Sequence, residues 1–249
     1  MARRLATPRS GANPRDLTLE AILEAAARIA DSSGLEALTV RSLAQDLGVA
    51  PMTLYGHVES KDAMLNKMAA RLLERFEVPA VNSDDWGDHV RAIMISFRQL
   101  LELHPSLVRL LSTRRVTSVG LTRSAEATLW HLRNAGFTDR ECVQAYASLF
   151  AYTLGFVVFQ TPRLPDVPRE SPNSDESVEA ILRSYADARH FPVIGQLAGQ
   201  VARMARGGSF EFGLDALIEG LRCQAREPLR ARARGGSTRR PRPIVDDSE

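Results

Sequence analysis

Long hydrophobic runs are missing from this 249-residue chain. Its most apolar stretch, "SLFAYTLGFVVF" from Ser148 to Phe159, falls short of the roughly twenty residues a bilayer-spanning helix needs and is interrupted by Gly155. No membrane partner is therefore expected. The first residues, "MARRLATPRSGANPRD", are basic but lack the apolar core of a secretory signal. Cysteine is scarce as well. Cys142 and Cys223 both lie in apolar helical patterns, with no second Cys or His at metal-ligand spacing, so two buried thiols in a reducing cytoplasm are expected. Charge of one sign is not in excess: a net +2 excludes a polycation that coats nucleic acid along its whole length. There is no Ser/His/Asp or Cys/His grouping, no phosphate-cradling glycine loop and no carboxylate–histidine signature on a helix. An enzyme is not expected, and neither is a cofactor.

Ala, Leu, Arg and Glu dominate what is present, while β-branched alternation is scarce, so nearly every long segment reads with helical periodicity. The expected fold is all-α: an N-terminal three-helix helix-turn-helix domain and a larger C-terminal helical domain. Residues 1–16, with Arg3, Arg4, Arg9 and Arg15, read as a disordered basic arm. The helix-turn-helix unit is placed at 17–62 and the larger domain at 63–227, with a break in composition at "VPAVNSDDWGDH". Residues 228–249 read as a disordered Arg-rich tail. Thr39 and Ser60 are expected to cap helices, Gly34 and Gly136 to end them, and Thr138 with Glu141 to form a capping box. A Pro- and Ser-rich stretch from Pro162 to Ser177 has no periodicity and reads as a loop.

One stretch, "LTVRSLAQDLGVAPMTLYGHVESKDAM", breaks the helical pattern in an unusual way. It places Gly48, Pro51 and Gly56 within nine residues and gives the short helix between them Thr53, Tyr55 and His57 instead of core residues. Two helices joined at a glycine corner form a helix-turn-helix. Val49 and Leu54 are expected to point into a small core. Ala50, Pro51, Met52, Thr53, Tyr55, Gly56 and His57 then face outward or line the exposed helix. Thr and Met can meet thymine methyls in a major groove, and Tyr and His can reach phosphates or base edges. Thr39 and Arg41, one helix earlier, are placed on backbone phosphates, and Lys61 adds a cation to the same face. Such a turn also serves as a plain connector in folds that bind nothing; the outward aromatic and imidazole favour the groove reading.

The same residues carry a resemblance. "LTVRSLAQDLGVAPMTLYGHVESKDAML", preceded by "AILEAAARIADSSG", resembles the DNA-binding domain of TetR-type transcriptional regulators over roughly residues 18–70, with LA…LGV, TLY and the H…SK segment in register. "WGDHVRAIMISFRQLLELHP", "LVRLLSTRR", "AYTLGFVVF" and "FEFGLDALIEGL" are similar to segments of the tetracycline repressor's C-terminal domain. The resemblance implies a homodimer joined by a four-helix bundle, built here from Asp139–Gln160 and Phe210–Gln224, and a pocket in each subunit whose occupation separates the DNA-binding heads. It also implies where a magnesium–tetracycline chelate would be held by histidine. Those places hold Glu77 and Leu110 here, so that effector is not expected, and the five histidines, His57, His89, His104, His131 and His190, form no metal site.

Candidate effector contacts are Phe97, Leu100, His104, Leu110, Trp130, Tyr146 and Phe150, each of them competing with an ordinary core role; Phe150, Leu154, Gly155 and Val158 compete for the dimer face. The functional expectation is a ligand-responsive regulator, a repressor that binds a palindromic double-stranded DNA operator as a homodimer and leaves it on binding a small-molecule effector. The alternatives are an activator or partner-controlled DNA-binding protein, and an enzyme or ligand carrier on a helical bundle.

Overall fold

The computed structural model describes residues 17–160, 191–204 and 210–225. The basic arm, the Pro- and Ser-rich stretch, His190 and the Arg-rich tail lie outside the described residues. Within them the chain is all helical: α1 (Leu19–Ser33), α2 (Val40–Leu47), α3 (Pro51–Tyr55), α4 (Lys61–Glu74), α5 (Trp86–Leu103), α6 (Pro105–Thr113), α7 (Val119–Asn134), α8 (Asp139–Gln160), α9 (Pro192–Met204) and α10 (Phe210–Gln224).

The helix ends follow local chemistry. Thr18, Thr39, Ser60, Asp85 and Ser118 each sit in extended backbone at a helix start and accept a bond from a backbone N–H two or three residues on. Thr39 and Ser42 cap each other reciprocally. The expected box before α8 is present: the Glu141 carboxylate accepts from the Thr138 N–H at 2.8 Å, and the Glu141 N–H reaches back to the Thr138 hydroxyl at 3.4 Å. Gly34 and Gly136 end their helices at positive φ.

Ile22, Leu23, Ala26 and Ala30 of α1 pack against Leu38, Leu43, Leu54, Met64, Leu65 and Met68, forming the core of the head. That core does not stop at the head. It runs along α4 through Leu72, Leu73 and Phe76 into α5, where Phe76 meets Phe97 edge-on at 6.1 Å. A border at residue 62 therefore falls inside the first turn of α4, a helix that serves both units. Gly120, at the start of α7, explains how tightly α4 is held: a Cβ there would collide with the carbonyl of Leu73.

α10 is fastened to α5 by charge. Arg91 pairs with Asp215 at 2.7 Å, Arg222 pairs with Asp85 at 2.7 Å, and Arg98 lies over the Phe210 ring at 4.9 Å. Gly213 leaves room for the Tyr152 hydroxyl, which donates to the Phe210 carbonyl at 2.9 Å. By length and composition alone α8 could cross a bilayer, but Cys142, Ala145, Leu149, Thr153 and Val157 on its inner side are buried against protein. Only one of the two thiols is buried as expected. Cys142 is enclosed, whereas Cys223 is exposed, because it lies on the stripe of α10 that faces away from α5 and α8.

Candidate functional site

α2 and α3 meet at Gly48, whose φ of 67° and ψ of 29° place it in the left-handed region that a β-carbon disfavours. The corner is closed by the Val49 N–H bonding to the Ala44 carbonyl at 3.0 Å. Ala44 is buried in the core of the head. Ala50 is the extended residue before α3, and Pro51 takes the first helical position, where its missing N–H costs nothing.

Leu54 is the buried residue of α3; Val49 packs half-buried beside it. Ala50, Pro51, Met52, Tyr55, Gly56 and His57 are exposed and Thr53 half-exposed. Met52 is 77% exposed and Tyr55 61% exposed, values that mark side chains with no part in holding the fold. Gly56 has an ordinary right-handed conformation, and a Cβ there would meet only the Thr53 carbonyl at normal contact distance, so nothing in the fold demands glycine. Arg41 is exposed on α2. Thr39 is exposed too, although its hydroxyl already caps α2 by accepting from the Ser42 N–H at 3.0 Å. Lys61 sits at the start of α4, with its ammonium 3.4 Å from the Leu35 carbonyl. The expected DNA-facing residues are thus exposed or half-exposed, on α2, on α3 and at the start of α4 or in the segments beside them.

The expected effector contacts are divided. Phe97, Leu100 and Leu110 are buried in the core, and Phe150 stacks on Phe97 with centroids 5.2 Å apart. Tyr146 lies 6.0 Å from Phe150, and burial pushes its phenol above the usual tyrosine range. These residues make one aromatic and aliphatic cluster between α5, α6 and α8. Trp130 does not join it by ring contact; its edge meets His131, which stacks on His89 at 4.1 Å. His104 stands apart as well, with Nδ1 2.8 Å from the Asp31 carboxylate of α1. Two clefts open elsewhere. One, of about 440 Å³, runs along α5 past Pro79, Arg91 and Ile95; the other, of about 260 Å³, lies between α1 and α4 and includes His104.

Glu77 is exposed and Leu110 buried, and among the described residues no three His, Cys, Asp or Glu side chains gather as metal ligands. Sequence reasoning missed Asp31, Glu36 and Asp62. They are acids on otherwise ordinary head segments, and only the fold brings them onto the bases of α6.

Two family descriptions match the chain: "Bacterial regulatory proteins, tetR family" over residues 22–68, and "Tetracyclin repressor-like, C-terminal domain" over residues 78–225. The HTH-type transcriptional repressor DrrR1 of Streptomyces coeruleorubidus is 30% identical over 237 residues, 92% of this chain and 84% of that protein. The class E tetracycline repressor protein of Escherichia coli is 30% identical over 213 residues, 85% of this chain and 93% of the repressor. The crystal structure of the Streptomyces coelicolor TetR family protein ActR in complex with actinorhodin superposes with a TM-score of 0.72 at 28% identity, covering 85% of this chain and 99% of ActR. With both halves matched, this chain belongs to the TetR family of bacterial transcriptional regulators, which are DNA-binding proteins and not enzymes.

Proposed function

We propose that the protein is a cytoplasmic, ligand-responsive transcriptional repressor that grips a palindromic operator as a homodimer and releases it when an aromatic small molecule enters the body. The observation that carries this reading is the outward face of α3, where Met52 and Tyr55 are exposed, with His57 exposed just past its end, while Leu54 is the helix's one buried residue. Met52 and Thr53 suit thymine methyls, and Tyr55 and His57 suit phosphates or base edges. Thr39, Arg41 and Lys61 supply neighbouring backbone contacts that position without specifying.

The dimer face is supported by two stripes turned to solvent. On α8 they are Val143, Ala147, Ala151, Gly155, Val158 and Phe159, and on α10 Phe212, Ala216, Gly220 and Cys223. Gly155 and Gly220 have open space where a Cβ would stand, which suits close helix approach by a second copy. A two-fold pair of heads reads half-sites about one DNA turn or a small multiple apart. For the effector, the cluster of Phe97, Tyr146 and Phe150, with Leu100 and Leu110, supplies aromatic and aliphatic side chains that must part to admit a ligand. The actinorhodin complex of ActR is in keeping with a small-molecule effector for this chain. Such a ligand must bind the released conformation better than the DNA-bound one; a coupling of about 1–3 kcal/mol gives roughly 5–150-fold weaker operator binding.

A gel shift on the DNA upstream of the protein's own gene tests this. Specific retardation is expected, and it is expected to vanish in Tyr55→Ala and His57→Ala while circular dichroism stays native. Retention of full affinity in both variants would remove α3 from the DNA interface.

A further inference from the structure

α6 starts without a cap of its own. His104 occupies the capping position with no side-chain bond to the helix, and Pro105 follows. The bond comes from another element. Asp31, in the last turn of α1, places Oδ1 3.0 Å from the Ser106 backbone N–H and Oδ2 2.8 Å from Nδ1 of His104. A carboxylate at a helix start satisfies an N–H that has no intrahelical partner and complements the helix dipole. The Asp31 and His104 side chains are 19% and 18% exposed, so this pair is shielded where most surface pairs are not.

Two more contacts repeat the polarity. Glu36, between α1 and α2, accepts both guanidinium bonds of Arg109, at 2.5 and 2.7 Å. Asp62, in the first turn of α4, accepts from Arg114 at 2.8 Å. Every acid belongs to the head, and every base to α6 or its two ends. Arg109 points out to Glu36, while its neighbour Leu110 is buried in the body.

We infer that Asp31, Glu36 and Asp62 are positioning residues for operator binding: acids that raise DNA affinity without touching DNA, by keying the head onto α6. The inference rests on the reading of the chain as a two-headed DNA-binding dimer. Its sign is what makes it testable. Near a phosphate backbone an acid ordinarily lowers affinity, and removing it raises affinity through plain charge. A keyed head gives the opposite result, because a loosened head must be re-ordered at each half-site. Asp31 carries the largest effect, since it is the most shielded and holds two groups. Glu36 and Asp62 are 61% and 75% exposed and carry less.

The experiment uses the full chain and an operator selected by the wild type from random duplexes. Binding is then measured by fluorescence anisotropy for Asp31→Ala, Glu36→Arg, Arg109→Glu and the double exchange Glu36→Arg/Arg109→Glu, with circular dichroism alongside and with half-site spacing varied. Asp31→Ala is expected to weaken binding about tenfold, the loss of one charge-assisted contact. Glu36→Arg weakens it severalfold despite adding positive charge, and the double exchange restores both affinity and the wild-type spacing preference. Unchanged or tighter binding by Glu36→Arg overturns the inference, as does a double exchange no better than its two singles combined. Should the wild type select no duplex, the DNA-binding reading fails and takes this inference with it.

Discussion

The head and the body of this molecule handle their functional side chains in opposite ways. On α3 the side chains proposed to act are exposed or half-exposed, and Leu54 is the one buried residue. In the body, Phe97, Leu100 and Leu110 are both the proposed effector surface and the core itself. A site built outside the core can be altered with little structural cost. A site built from the core cannot, and every change there is read through stability first.

That contrast fixes the order of expected effects. Phe97→Ala removes a fully buried ring that meets both Phe76 and Phe150, and a loss of about 3–5 kcal/mol in denaturant unfolding is expected. A loss below about 1 kcal/mol would mean the ring lines open space and would bring the body closer to the head in behaviour. Gly120→Ala comes next. The new methyl meets the Leu73 backbone, which cannot swing aside as a flexible side chain could, so a cost of about 1–3 kcal/mol and a shifted α4 are expected in thermal unfolding.

Arg222→Gln has a smaller effect, visible through pH. Its hydrogen bond to Asp85 is the main reason that carboxyl lies below the ordinary aspartate value, with partial burial opposing. A lowered folded-state pKa contributes stability above the unfolded value of 3.8, which is lost as pH falls through the folded one. Melting temperatures of the variant are therefore expected to vary less with pH below about 4 than those of the wild type. The smallest structural effect belongs to Gly56→Ala, where the fold leaves the added methyl room. Stability should stay within about 0.5 kcal/mol of wild type. Weakened operator binding in the same variant would show that the bare backbone at Gly56 lies against DNA.

The difference between the two regions also explains what could be read from sequence. The corner glycine, the proline at the start of α3 and aromatic or imidazole side chains where core residues belong are local departures from helical periodicity, and a departure is visible without coordinates. Helix ends were legible for the same reason, since Thr39, Ser60 and the Thr138–Glu141 box act over three residues. The body gave no such signal. Phe97 and Phe150 look like any apolar residues at helical spacing, and His104 gave no hint that its partner would be Asp31, 73 positions away. Cys223 was expected inside because periodicity marks an apolar stripe without saying whether the chain or a second copy covers it. Where α4 belongs was equally hidden, because one helix fills two cores.

The central claim is that two symmetry-related α3 faces enter successive grooves of one duplex. Hydroxyl-radical footprinting of the full chain on its selected operator tests it most directly. The account predicts two protected half-sites related by a dyad and centred about one helical turn or a small multiple apart, both lost in natively folded Tyr55→Ala and His57→Ala. A single protected patch, or the same two patches in both variants, would contradict it.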